Sequence, residues 1–82
     1  MASNDTNLDD EMLSIWSEVF DRDDLTDGSD FFALGGDSLM AIRLMAKLRG
    51  QFAVRVPLRL VFKEPTLSGF TLAVRDLVNT AT

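Results

Sequence analysis

Eighty-two residues, 46% of them apolar, with a net charge of −5, bound one small domain with a modest core. Cysteine and histidine are both absent, which excludes disulfides and thiolate metal sites and removes the usual general base and metal ligand. Residues 1–37 hold eleven acids and one arginine, and residues 38–82 hold two acids and seven Lys/Arg; the acidic half argues against a nucleic-acid partner, which requires a clustered basic surface.

The first helix is expected from about Asn7, as its N-cap, to Phe20 or Asp21, after a frayed lead of residues 1–6. Leu8, Met12, Ile15, Trp16, Val19 and Phe20 recur at helical spacing, so this stripe, Trp16 included, is assigned to the core. Residues 21–37 read as a long loop, rich in Asp and Gly, with Phe31, Phe32 and Leu34 as its apolar anchors. Its acids lack the spacing and terminal glutamate of a calcium loop, so no metal site is expected.

A second helix is expected over Ser38 to about Gly50, and it carries two apolar faces. Ala41, Leu44, Met45 and Leu48, extended by Phe52, form one row; Leu39, Ile42 and Ala46, with Met40 and Arg43 beside them, form another. So short a chain cannot bury a helix on every side. The first row is therefore assigned to the core and the second to partner docking, with Met40 suited to repacking against different partners. The alternative, that Leu39 and Ile42 cover the loop anchors, stays open. Residues 52–57 form a loop in which the alternation Val54-Arg55-Val56 is only weak strand evidence. Pro57 opens a helical turn over 58–62, with Leu58, Val61 and Phe62 on one face. Thr66 caps a last helix whose stripe is Leu67, Phe70, Val74, Leu77 and Val78; Gly69 inside it costs stability unless close packing requires it, and residues 79–82 are expected to be disordered. Lys63 and Arg75 are read as solvated. The outcome is an all-α fold: a small bundle of three main helices and one short one in a single domain, 1–82, with its core about 8–78.

Leu34-Gly35-Gly36-Asp37-Ser38-Leu39 joins the acidic loop to the second helix. Two glycines permit unusual backbone angles, Asp37 stands at the N-cap, and Ser38 takes the first helical position, where free N–H groups suit a phosphate. Taken alone, Gly-Gly-Asp-Ser also describes an ordinary loop and cap. With Asp30-Phe31-Phe32 upstream and an apolar helix downstream, the segment resembles the attachment motif of the peptidyl carrier protein (thiolation domain) family of nonribosomal peptide synthesis, matching it at every position from 34 to 39.

That resemblance implies an acyl-carrier-protein-like bundle. It also implies a 4'-phosphopantetheine, donated by coenzyme A through a phosphopantetheinyl transferase, esterified to Ser38 and flanked by Gly35, Gly36 and Asp37. The arm's thiol would carry an aminoacyl or peptidyl thioester from an adenylation enzyme to condensation, tailoring or thioesterase enzymes. The residues agree: a chain without cysteine holds a thioester only on an imported thiol, and a chain without histidine has no conventional base to modify its own serine. It is expected to be a non-catalytic, monomeric carrier; a serine hydrolase would need a base and Gly-x-Ser-x-Gly, both missing. The alternative is an acyl or aryl carrier of a polyketide-type pathway, against which stand Leu34-Gly35-Gly36 and a second helix holding Arg43, Lys47 and Arg49 with no acid before Gly50. Met1 and the short ends fit a free-standing (type II) carrier, although a domain cut from a synthetase would look the same. With no apolar run of membrane-spanning length and no leader or lipidation signal, a cytoplasmic location without membrane contact is expected.

Overall fold

The computed structural model describes residues 4–52 and 55–81. Four helices follow one another: α1 (Asn4–Phe20), α2 (Ser38–Phe52), α3 (Arg59–Lys63) and α4 (Leu67–Ala81). α1 packs against both α2 and α4, and the short α3 packs against α4. The apolar rows meet in one core, where Met12, Trp16, Phe31, Ala41, Leu44, Leu48, Val61, Phe70 and Val74 are fully excluded from solvent. Trp16 lies at its centre, 5.8 Å from the rings of both Phe31 and Phe70. Val19, Phe20, Met45, Phe52, Leu77 and Val78 are partly buried against this cluster.

Several boundaries differ from the sequence reading. α1 begins at Asn4, so Asn7 lies inside it and is not its cap; nothing in residues 4–7 is Gly or Pro, and the helix continues backwards without a breaker. It ends as expected, in a Schellman turn: Asp21 adopts a left-handed φ of 56°, and the amides of Asp21 and Arg22 donate to the carbonyls of Glu18 (3.3 Å) and Ser17 (3.0 Å). α2 runs through Gly50 to Phe52, whose half-buried ring offsets the glycine's lower helix propensity. α3 is displaced by one residue, to Arg59–Lys63. α4 continues to Ala81, so residues 79–81 are helical and not a disordered tail. Val54 of the weak alternating pattern lies outside the described residues.

Thr66 caps α4 as expected, its Oγ1 accepting from the Gly69 amide at 3.2 Å. A Cβ on Gly69 would stand 2.9 Å from that same Oγ1 and from Glu64 Oε1, so close packing does bear on this position. Arg75 is not solvated: it reaches across to α1 and donates to Asp9 Oδ1 at 2.8 Å. No helix among the described residues is long and apolar enough to cross a membrane.

Candidate functional site

The long loop is held by backbone hydrogen bonds as well as by the side chains of Leu25 and Phe31, both buried in the core. Three hydrogen bonds join it to the start of α4: the Phe31 amide donates to the Pro65 carbonyl (2.7 Å), the Leu67 amide to Ser29 (2.8 Å) and the Ser68 amide to Asp27 (2.9 Å). Within the loop, Asp30 organises a tight turn. Its Oδ1 accepts from the amides of Phe32 (2.8 Å) and Ala33 (3.0 Å), and its carbonyl accepts from Leu34 (3.0 Å). Upstream, the Arg22 guanidinium grips the Asp24 carboxylate with two bonds, at 2.9 and 2.7 Å, and holds that carboxyl below the usual carboxylate range. Both groups are exposed, so the pair is screened by solvent.

The two glycines of the motif have different tasks. Gly35 takes a φ of 95°, where an L side chain is strained. Gly36 instead lies flat on Phe31: its amide donates to the Phe31 carbonyl at 2.9 Å, and a Cβ there would sit 2.6 Å from that oxygen and run into the aromatic ring. Phe31, fully buried, thus fixes the exit of the loop from below. Leu34 is partly buried against the core. Phe32 departs from its expected role as an anchor. It is 40% exposed and stacks on Phe62 of α3, with ring centroids 5.2 Å apart.

Asp37 is the N-cap of α2. Its Oδ1 accepts from the Met40 amide at 3.0 Å and its carbonyl from the Ala41 amide at 2.9 Å. The carboxylate is thereby committed to the cap, and no side chain among the described residues hydrogen-bonds the Ser38 hydroxyl. Ser38 is exposed on the first turn. The amides of Ser38 and Leu39 have no acceptor among the described residues. A phosphodiester on Ser38 would therefore find two free N–H donors and the positive end of the α2 dipole beside it. The residues present fit such a group, whose contribution when attached is a thiol at the end of a flexible chain.

Below the serine the two rows of α2 separate. Ala41, Leu44 and Leu48 are fully buried, whereas Leu39 and Ile42 are 59% and 55% exposed and so cover nothing. Arg43 and Ala46 are exposed beside them, and Met40 is half-buried against the core. Leu58 and Phe62 were expected to share a face with Val61. Only Val61 points inward, and the other two add to the exposed apolar surface. Sequence reasoning missed this pair because a five-residue helix is too short to show a period. It also missed Asp30 as the pivot of the turn, although an Asp two residues before a bend carries that signal.

Four helices with a bare serine hydroxyl at the tip of the second, led in by a long pinned loop, define a carrier-protein fold. The chain belongs to the phosphopantetheine attachment site family, which matches it over residues 10–77. Phosphinothricin tripeptide synthetase PhsC of Streptomyces viridochromogenes is 39% identical over 67 residues, 82% of this chain and 6% of the synthetase. The chain spans only about 5% to 6% of the length of such curated relatives. Among solved structures, BlmI, a type-II acyl-carrier-protein from Streptomyces verticillus involved in bleomycin biosynthesis, superposes with a TM-score of 0.83 at 28% identity, covering 96% of this chain and 92% of BlmI. A chain in the complex of the phosphopantetheine transferase Sfp with coenzyme A and a peptidyl carrier protein superposes with a TM-score of 0.78 at 25% identity, over 84% of this chain and 90% of that one.

Proposed function

We propose that this chain is a single, non-catalytic carrier domain of nonribosomal peptide synthesis, with its 4'-phosphopantetheine on Ser38. The observation that carries the reading is the exposed, unpartnered Ser38 hydroxyl on a helix tip whose cap, Asp37, is already engaged. In the modifying step Ser38 Oγ attacks the β-phosphorus of coenzyme A. A new O–P bond forms, the pyrophosphate bond breaks, and adenosine 3',5'-bisphosphate leaves. The serine proton passes to a base of the transferase, since no side chain among the described residues hydrogen-bonds the hydroxyl and Asp37 is engaged in the cap. The thiol so acquired holds an aminoacyl or peptidyl group as a thioester. Sfp, found with a peptidyl carrier protein and coenzyme A in a structure resembling this chain, supports a transferase as the first partner. An adenylation enzyme is the second, and condensation, tailoring or thioesterase enzymes follow. All meet the domain in the cytoplasm, where coenzyme A is supplied. Leu39, Ile42, Arg43 and Ala46, with Met40 at the edge, form the docking face.

The description of BlmI as an acyl-carrier-protein favours a second reading, an acyl or aryl carrier. The basic, acid-free α2 supports the peptidyl reading instead. Intact mass after incubation with coenzyme A and a transferase of broad tolerance tests the attachment. A gain equal to the prosthetic arm is expected, and none in Ser38→Ala. No gain under conditions that modify a control carrier would sink the proposal; charging of the modified chain by an adenylating enzyme, and not by an acyl-activating one, separates the two carriers.

A further inference from the structure

Among the described residues, three clefts border α2 or α4. Between α3 and α4, a cleft of about 330 Å³ carries Arg59 and Lys63, but Glu64 and Asp76 line it too, so its charges are matched internally. A second, about 270 Å³ between α1 and α4, has Leu13 and Leu72 at its edges and is bridged by the Asp9–Arg75 pair. The third differs. It has a volume of about 410 Å³, within the range of small-molecule sites, and is lined by Ile42, Met45, Ala46, Arg49, Arg55 and Val56. Its apolar floor includes buried Val56, and among the described residues the charged groups that line it are Arg49 and Arg55, neither with a hydrogen bond or ion pair there.

Its position along α2 gives it meaning. Ser38, Ile42, Met45 and Arg49 follow one another at helical spacing on one stripe. The groove thus begins one turn below the serine and ends three turns below it, at roughly 16 Å along the helix axis. An extended phosphopantetheine arm outreaches that distance. A chain anchored at Ser38 and laid along α2 passes over Ile42 and Met45 and brings its acyl end to the two guanidinium groups. Guanidinium forks match carboxylates in geometry and charge.

We infer that the groove receives the far end of the arm when the cargo bears a free carboxylate, with Arg49 and Arg55 binding that carboxylate and Ile42, Met45 and Val56 covering the carbon chain. The inference rests on attachment at Ser38 and adds the substrate class: acyl groups of acidic amino acids or other dicarboxylates. Held there, the cargo covers Ile42 and Ala46 of the docking face until a partner displaces it.

The test loads the full chain, through the transferase, with amide analogues of two coenzyme A thioesters: glutaryl-coenzyme A and its monomethyl ester. Mass confirms loading, and the Nε–H resonances of Arg49 and Arg55 are recorded against the arm-bearing form without cargo. The free acid is expected to shift both arginines, and the ester neither. Arg49→Gln/Arg55→Gln, two exposed changes, is expected to abolish the acid-dependent shifts of the Ile42 and Met45 amides. Equal shifts with acid and ester, or no shift in a chain whose mass shows full loading, overturn this inference alone and leave Ser38 as the attachment site. A chain that gains no mass overturns the attachment and the inference together.

Discussion

At the scale of single residues, the site depends on two adjacent glycines whose reasons differ. Both were legible in the sequence as backbone freedom, but only Gly35 uses it, at a φ of 95°. Gly36 is there because Phe31 leaves no room, and contact between a glycine and a ring five residues earlier has no sequence signature. Gly36→Ala is therefore expected to destabilise the fold by about 1–3 kcal/mol, as overpacking does, and to slow modification of Ser38, measured by the unfolding midpoint and the rate of mass gain. Gly28→Ala, where an added methyl meets nothing within 4 Å, is the matched control and should leave both unchanged. The cap at Asp37 and the position of Ser38 were readable outright, because a capping residue and the first helical residue announce themselves by type and order.

At the scale of elements, α2 is the informative one. Its two rows were visible because fifteen residues give four turns of periodicity, and the limited size of the chain indicated that one row had to stay outside. Leu44→Ala, at a fully buried position, is expected to cost about 2–5 kcal/mol by chemical denaturation. Ile42→Glu, on the exposed row, should stay within about 0.5 kcal/mol yet weaken acyl transfer to a partner enzyme; loss of helical circular dichroism would instead place Ile42 in the core. The loop and α3 were less legible. Phe31 and Phe32 look alike in sequence, but one is the floor of the site and the other stacks on Phe62 at the surface. Irregular backbone carries no period to tell them apart, and tertiary packing decides.

At the scale of the molecule, the uneven charge turns out to be partly internal. Lys47 donates to Glu18 at 3.0 Å, Gln51 to Glu11 at 3.4 Å and Arg75 to Asp9 at 2.8 Å, so polar groups of α2 and α4 flank the acids of α1. The Lys47–Glu18 pair is exposed on both sides and worth under about 1 kcal/mol, whereas Arg75 of the third pair is largely covered. Of the arginines not so engaged among the described residues, Arg49 and Arg55 line the groove on α2. The bonds from residues 27–31 to residues 65–68 have a further consequence. On the ribosome the serine emerges long before the backbone that will steady it, so the hydroxyl becomes a proper target only when the final helix has been made and has docked. On the proposed function, a transferase would meet a finished fold, and a fragment ending before residue 65 would contain the serine without the loop-to-α4 bonds that steady it.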